Sequence, residues 1–262
     1  MTPTRKDVVS SFTLIKGALV DETYAAFADW DLGQTQDENL DRLRRTNSIG
    51  ASSANWLRDV AKVLHRRYDP EGRDAPLVGL AQRGCPRDVW TPLMIWHATR
   101  DEFLLADFLR EWLYERHRDG VYRVRVEDLL PYLASLPSRA EAVTGTKQWS
   151  ESTAKRVASS LLKISNDVGL LRGTRVREFA PYRLPDPSLL YLLHAVAERE
   201  PNARNLLDAP DWRMYLMSAA DVEREVLRLH QYRALDFQAA GSLAQLRLPA
   251  PSLADFARQM TW

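Results

Sequence analysis

The chain has 262 residues, of which 45% are hydrophobic and 27% are charged, and its formal net charge at pH 7 is +1. This composition is ordinary for a folded soluble protein and argues against intrinsic disorder. A net charge close to zero also argues against a histone-like protein that binds any polyanion indiscriminately.

The sequence predicts neither a membrane span nor a secretory signal. The longest apolar run, roughly residues 189–197, is far shorter than the stretch of about 20 residues that a membrane-spanning helix needs. The N-terminal segment MTPTRKDVVSS is not followed by a long apolar stretch. Cys85 is the only cysteine, which excludes an intramolecular disulfide bond and fits a reducing compartment. We therefore expect a cytoplasmic location.

Residues 1–70 are predicted to form an N-terminal helix-turn-helix domain. The segment FTLIKGALVDETYAAFADW has apolar residues at helical spacing, and the polar segment after it, DLGQTQDENLDRLRRTNS, is predicted to contain a second helix. A turn at residues 47–50 follows, and Ser52 or Ser53 can cap a further helix. The inner stripe of that helix is Leu57, Val60, Ala61 and Leu64.

The outer face of the same helix carries side chains that suit nucleic acid, because Asn and Arg side chains can contact bases and basic or hydroxyl side chains can contact phosphates. Residues 40–70 hold seven basic residues against three acidic ones. An outer helix face is usually only solvated, so solvent exposure without DNA contact is the alternative. The candidate DNA-binding residues are Ser52, Asn55, Arg58, Lys62 and Arg66.

Residues 71–100 are predicted to contain a linker and core helices. The stretch DPEGRDAPLVGLAQRGCPRD is rich in proline and glycine, which is typical of a linker around one short helix and of a domain boundary. Two strongly apolar helices follow, DVWTPLMIWHATR and DEFLLADFLREWLYERHR. Their aromatic residues recur at helical spacing and are predicted to form the main core.

Residues 101–184 are predicted to form a winged-helix domain, because of the order of their elements. A helix ends near Arg118 and is followed by an alternating strand VYRVR, a helix VEDLLPYLASL, a polar connection at residues 137–149, a long helix and two short strands around Gly173. In a winged helix the third helix lies in the major groove, and the hairpin, or wing, contacts neighbouring phosphates. The polar connection is longer than the turn of a tight helix-turn-helix.

The long helix of this domain, SESTAKRVASSLLKISND, has one apolar face and one positive face. Ser150 or Ser152 can cap its start, and apolar residues recur at the three-and-four spacing of a buried face. Residues 147–180 again hold seven basic residues against three acidic ones. The candidate DNA-binding residues are Ser152, Lys155, Arg156, Ser159 and Lys163 on the helix, and Arg172, Arg175 and Arg177 on or beside the hairpin.

Residues 185–262 are predicted to form a C-terminal helix, SLLYLLHAVAERE, and a strand-helix-hairpin unit that resembles part of a winged helix. In that unit WRMYLMS alternates like a strand, AADVEREVLRLHQY has the pattern of an amphipathic helix, and ALDF with AQLRL predicts a hairpin. The charges of the unit are nearly balanced, which favours a structural or partner-binding role. The whole chain is thus predicted to be mainly α with small β wings.

The sequence lacks the common signatures of catalysis. It has no Gly-x-x-x-x-Gly-Lys-Ser/Thr loop for ATP phosphates, and no lysine has an acidic residue two positions before it, as a restriction-type nuclease core usually requires. His97 with Asp101 and His194 with Glu198 have a helical spacing that could hold a metal ion, but each is a single pair without further ligands. We therefore predict no enzymatic activity, no metal and no cofactor.

Several segments together resemble the BrxA family of bacterial BREX phage-defence systems. They are FTLIKGALVDETYAAF, SSANWLRDVAKVLHRRY, MIWHATRDEFLLADFLREWL, WSESTAKRVASSLLKISNDVGLL and the closing FQAAGSLAQLRLP. None of them is a catalytic signature, so the resemblance depends on their order and on their coverage of nearly the whole chain. It implies a small, non-enzymatic component that binds double-stranded DNA and acts beside a methyltransferase, a phosphatase-like protein and ATPases in restricting phage.

The sequence and the resemblance together predict an accessory protein that binds double-stranded DNA, mainly through phosphates. Other BREX components are further candidate partners. Two alternatives stay open. One is an adaptor whose modules bind other defence proteins, and the other is an RNA-binding protein, because the family has been likened in fold to an RNA-binding antitermination factor.

Overall fold

The computed structural model describes residues 11–139, 149–241 and 243–262. Within these ranges the protein is mainly helical and has two small antiparallel sheets, which confirms the predicted class in its coarse form. The helices of the first half are α1 (Ser11–Ile15), α2 (Val20–Ala28), α3 (Gln36–Thr46), α4 (Ala54–Arg67), α5 (Ala75–Gln82), α6 (Arg87–Ala98), α7 (Phe103–Asp107) and α8 (Tyr114–Arg118). A π-helical section (Phe108–Leu113) joins α7 to α8.

The remaining helices are α9 (Val126–Arg139), α10 (Glu151–Asp167), α11 (Asp186–Ala197), α12 (Ala203–Leu207), α13 (Ala219–Gln231) and α14 (Leu253–Gln259). A 3₁₀ helix (Pro210–Tyr215) lies between α12 and α13. The strands are β1 (Arg123–Val124), β2 (Leu171–Gly173), β3 (Arg177–Phe179), β4 (Asp236–Ala240) and β5 (Leu243–Arg247).

The first apolar segment forms two helices, because the backbone reverses between α1 and α2. Gly17 has φ +86° and Leu19 has φ +56°, and both values lie in the left-handed region that ends a right-handed helix. Leu19 is buried despite this conformation. The turn places α1 against both α4 and α10.

The predicted turn before α4 is confirmed, and its geometry follows from two polar side chains. Asn47 ends α3 in the left-handed conformation, and its side-chain amide binds both backbone groups of Ala51, at 2.7 and 2.9 Å. Ser53, one of the two predicted caps, accepts the N–H of Trp56 at 3.1 Å and so starts α4. Helices α3 and α4 pack against each other across this turn.

The stretch predicted as a linker contains a buried helix. Leu77, Val78 and Leu80 of α5 are fully buried, and α5 packs against α2 on one side and α14 on the other. Buried side chains from α1 to α14 belong to one hydrophobic cluster. The division into residues 1–70, 71–100, 101–184 and 185–262 stays a prediction.

The middle of the chain has the predicted order of elements. Strand β3 lies between β1 and β2 and pairs antiparallel with both, so that Arg123 is opposite Glu178 and Gly173 is opposite Arg177. Helix α10 packs against α9, α1 and β2. The polar connection predicted at residues 137–149 falls largely on residues 140–148, which lie outside the described residues.

The strand predicted for WRMYLMS is wrong, because this segment forms the 3₁₀ helix and the residues after it. Its hydrophobic residues do not alternate between a buried and an exposed face: Trp212, Met214, Tyr215 and Leu216 are all buried. The indole of Trp212 donates to the carbonyl oxygen of Leu206 at 2.7 Å. The C-terminal unit therefore lacks its first strand, whereas α13 and the β4–β5 hairpin are confirmed.

A polar network lies inside the core. The Nδ1 atom of His97 is 2.6 Å from Oδ1 of Asp74, and Nε2 of the same ring is 2.8 Å from the hydroxyl of Tyr191. Arg73 donates to Asp74 at 2.8 Å and to Asp101 at 2.7 Å. Asp74 and His97 are 0% exposed. The network therefore links α5, α6 and α11 through hydrogen bonds that are shielded from water.

Candidate nucleic-acid interface

Helix α10 separates its apolar and polar side chains onto two faces. Its start is capped by Ser150, which accepts the N–H of Thr153 at 3.3 Å. Its apolar face is fully buried and consists of Val157, Ala158, Leu161, Leu162 and Ile164. The five predicted DNA-binding side chains of this helix are all exposed: Ser152, Lys155, Arg156, Ser159 and Lys163. Because their positions repeat at three- and four-residue intervals, they form one continuous row on the surface.

Two of the three cations in this row are held by carboxylates of the same helix. Lys155 lies 2.6 Å from Glu151, and Lys163 lies 2.7 Å from Asp167. The hydrogen bond that Lys155 donates to Glu151 raises the pKa of Lys155 above its ordinary value. Arg156 forms no ion pair with any residue that the structure describes. Its guanidinium is the most available positive group of the row.

The hairpin formed by β2 and β3 adds two exposed arginines, Arg172 and Arg175. Arg172 lies 3.6 Å from Glu178, and the same carboxylate forms an ion pair of 3.0 Å with Arg123. Arg177 does not join them, because it is only 6% exposed and is oriented inward in β3. Burial lowers the pKa of Arg177, and the nearby Asp167 opposes this effect. The expectation that Arg177 is a surface contact is therefore corrected.

The hairpin is fixed to the end of α10 by backbone and side-chain hydrogen bonds. The amide of Asn166 donates to the carbonyl oxygen of Gly173, and the N–H of Leu170 donates to that of Ser165 at 2.9 Å. Gly173 has φ +107°, and a Cβ atom at this position would overlap the carbonyl oxygen of Val176. The turn therefore requires glycine.

Helix α4 presents four of its five predicted residues. Ser52, Asn55, Arg58 and Lys62 are exposed, whereas Arg66 is partly buried and lies 3.5 Å from the buried Glu102. The guanidinium of Arg58 donates to the side-chain oxygen of its neighbour Asn55. The ammonium of Lys62 lies 5.8 Å from the ring of Phe12 in α1. The exposed row of α4 is thus shorter than the sequence predicted.

The turn between α1 and α2 contacts both candidate helices. Lys16 forms an ion pair of 2.6 Å with Asp59 of α4, and a Cβ atom on Gly17 would lie 3.8 to 3.9 Å from Asp167 and Lys163 of α10. A surface cleft of about 550 Å³ lies here. Most of its lining comes from this turn, α2 and α6, and it also includes Trp56 of α4 and Lys163 and Asp167 of α10. The structure therefore places the start of α4 beside the end of α10.

The histidine pairs considered as metal ligands have other partners. His97 binds Asp74 and not Asp101, as described above. His194 bonds through Nδ1 to the carbonyl oxygen of Leu190 at 2.7 Å. No cluster of three or more His, Cys, Asp or Glu side chains suited to a metal ion occurs in the part of the chain that the structure describes.

These features define a mainly helical protein with small antiparallel sheets, in which two neighbouring helices expose basic and polar rows. None of the helices in the described ranges is both long and apolar enough to cross a membrane. A model of the BrxA family matches residues 11–195, which is well over half of the chain. The chain belongs to the BrxA family, whose members are components of BREX phage-defence systems and are not known as enzymes. No curated protein matches the chain.

Proposed function

We propose that this protein is a non-enzymatic accessory component of a BREX system and that it binds double-stranded DNA. One observation carries the proposal. The row on α10 is exposed along its whole length, and the hairpin that is fixed to the end of this helix exposes two further arginines. In this proposal β1, α9, α10 and the β2–β3 hairpin act as a winged helix, with α10 as the recognition helix.

The contacts of α10 are proposed to be mainly with phosphates. Hydroxyl groups and flexible lysines bind phosphate oxygens without reading the bases. Residues 151–180 carry six basic residues and three acidic ones, and one of the basic side chains, Arg177, is buried. The remaining excess of positive charge is small, which favours local phosphate contacts over attraction by the whole protein.

Helices α3 and α4 provide a second, smaller surface of helix-turn-helix type. Asn55, Arg58 and Lys62 are its proposed contacts, with Ser52 at the edge. Trp56 of α4 and Lys163 of α10 line the same cleft, which supports the use of both helices on one duplex.

The number of phosphate contacts can be measured from the dependence of binding on salt. If the five exposed cations of α10 and the hairpin each displace one counterion, log K against log salt has a slope of about −4.5 on duplex DNA. These cations are Lys155, Arg156, Lys163, Arg172 and Arg175. Replacing two of them reduces the slope to about −2.7.

The test is the double variant Arg156→Ala/Arg175→Ala, measured by fluorescence anisotropy on a random-sequence duplex at several salt concentrations. The matched control is Arg224→Ala/Arg247→Ala, which removes the same charge from exposed positions in α13 and β5. We expect weaker binding and a shallower slope for the first variant only. Circular dichroism checks that both variants are folded. An unchanged affinity and slope for the first variant would reject α10 and the hairpin as a DNA surface.

The adaptor alternative is favoured by a separate observation in the C-terminal unit. Leu227 of α13 and Tyr232 after it are 44% and 73% exposed and are therefore available to a protein partner. An adaptor predicts no duplex binding by the purified wild-type protein in the same titration. Competition with single strands and structured RNA in that assay distinguishes the RNA-binding alternative.

A further inference from the structure

A large cavity lies on a different part of the molecule, between α5, α6, α11 and α14. Its volume is about 890 Å³, which is within the range of small-molecule sites. Most of its surface is apolar and includes Pro76, Leu253 and Ala257. The charged residues that line it are mostly basic: five of the six are arginines, and Glu198 is the single acid. The arginines are Arg73, Arg83, Arg100, Arg199 and Arg258.

Arg100 is the unusual member of this group. It is partly buried and stacks on Trp96, with 4.7 Å between the guanidinium carbon and the ring centroid. It forms no ion pair or hydrogen bond with any side chain in the described ranges. Burial lowers the pKa of Arg100, the positive charges of Arg199 and Arg73 lower it further, and Asp211 and Asp74 offset only part of this effect.

The nearby carboxylates already form ion pairs or hydrogen bonds with other groups. Asp101 binds Arg73 at 2.7 Å. Asp211 is shared between Arg199 at 3.1 Å and Arg110 at 2.9 Å. Glu198 accepts the backbone N–H of Leu253 at 2.9 Å. In the described ranges Arg100 therefore has no carboxylate in direct contact, and these acids act on it only from a distance.

A partly buried cation without a counterion is unfavourable unless something else supplies the negative charge. A guanidinium is well suited to bind a phosphate or a carboxylate with two parallel hydrogen bonds. Arg199 lines the same cavity, and both arginines also line a smaller cavity of about 230 Å³. An anionic group at Arg100 would therefore lie where the two cavities meet.

We propose that this cavity binds an organic anion, whose phosphate or carboxylate group contacts Arg100 and Arg199 and whose apolar part lies against Leu253 and Ala257. The apolar wall gives affinity through burial, and the arginines select for negative charge. The site is built from elements other than α4 and α10, so it does not depend on the proposed DNA surface.

The probes are 1-naphthyl phosphate, 1-naphthoate, the uncharged 1-naphthol and inorganic phosphate, each titrated into the full-length protein by isothermal calorimetry. We expect saturable binding of the two naphthyl anions, weaker binding of inorganic phosphate and no comparable binding of 1-naphthol. Comparing the two anions tells whether phosphate or carboxylate is preferred. The absence of saturable binding by both anions overturns the proposal, as does equal binding of 1-naphthol.

Two variants locate the site. Arg100→Gln should weaken binding of the preferred anion at least about tenfold, because it removes a charged hydrogen-bond donor. Arg116→Gln is the matched control, since Arg116 also stacks on a tryptophan, Trp112, at 5.5 Å but lies outside the cavity. Ala254→Glu places an acid on the exposed wall of the cavity and should weaken anion binding without altering the core. If Arg100→Gln does not fold, the test rests on Ala254→Glu. Unchanged anion binding in the folded variants overturns the proposal.

Discussion

The substitution Asp74→Asn tests whether the buried polar network stabilises the fold. Asp74 is fully buried and accepts hydrogen bonds through both oxygens. One oxygen is 2.6 Å from His97 and 2.8 Å from Arg73, and the other accepts the N–H of Asp69 at 2.7 Å. An asparagine keeps the shape but loses the negative charge, and it replaces one of the two acceptor oxygens by an N–H₂ donor.

The expected loss follows from the pKa of Asp74. Burial alone would raise this pKa above the ordinary 3.8, but His97 and Arg73 more than offset that effect and lower it to about 2. The difference corresponds to about 2.5 kcal/mol of stability at neutral pH. The substitution also leaves buried hydrogen-bond partners mismatched, although Arg73 keeps Asp101 as a counterion, so the total expected for Asp74→Asn is about 3 to 5 kcal/mol.

The sign of the pH dependence is fixed by the lowered pKa. The carboxylate stabilises the folded state fully above pH 3.8, and the stabilisation is lost as the pH falls towards 2. The free energy of unfolding should be measured by urea denaturation with tryptophan fluorescence, for wild type and variant, at pH 7 and at decreasing pH. The difference between the two proteins should be large at pH 7 and should shrink in acid.

The control is Glu151→Gln, which removes an exposed carboxylate that pairs with Lys155. Because surface ion pairs contribute little, its effect at pH 7 should be much smaller than that of Asp74→Asn. A loss below about 1 kcal/mol for Asp74→Asn, or a loss that does not diminish in acid, would show that the network does not act as a buried ion pair.

Two further substitutions test local structure. Gly173→Ala should destabilise the protein more than Gly50→Ala. Both glycines have a positive φ, but of the two only residue 173 would bring its added Cβ atom against backbone atoms. Thermal unfolding compares the two variants directly, and equal losses of stability would contradict this reasoning. Arg67→Met should lower the free energy of unfolding, measured by urea denaturation, by about 3 to 5 kcal/mol. The reason is that Arg67 is buried, donates to the carbonyl oxygens of Ala18 and Thr13 and lies 3.6 Å from Glu102. A loss under about 1 kcal/mol would indicate that the buried charge is not needed for stability.

The elements that the sequence predicted correctly are those specified by local patterns. The α10 stripe repeats at three- and four-residue intervals over seventeen residues, and a serine stands at its cap. Helix α13 likewise has an amphipathic pattern and begins with a capping box of Ser218 and Asp221. Such signals depend on neighbours within a few residues, so they can be read from one sequence.

The errors arise where distant residues decide the structure. The alternation in WRMYLMS predicts a strand, but the segment forms a 3₁₀ helix whose hydrophobic side chains are buried in the core and whose Trp212 side chain donates to Leu206. Arg177 follows a turn and is basic, so it was expected on the surface; its burial follows from the position of β3 in the middle of the sheet. His97 has Asp101 one turn away, but it binds Asp74 and Tyr191 from other helices.

The sequence therefore predicted which helices carry the candidate site, but not which residues lie at its edges. The exposed residues of α10 follow from helical geometry alone. The partial burial of Arg66 depends on Glu102, which reaches α4 from the start of α7. The cavity around Arg100 is assembled from four helices, and no local pattern in the sequence indicates it.

The attachment of the hairpin to α10 determines how this surface meets a partner. Asn166 and Ser165 at the end of the helix bond to Gly173 and Leu170 of the hairpin segment, and β3 is held between two strands. The backbone positions of Arg156 and Arg175 are therefore fixed relative to each other before a partner binds. In the proposed DNA complex, little backbone entropy is therefore lost in aligning these two arginines, and adjustment to an irregular duplex is left to the arginine side chains and the DNA.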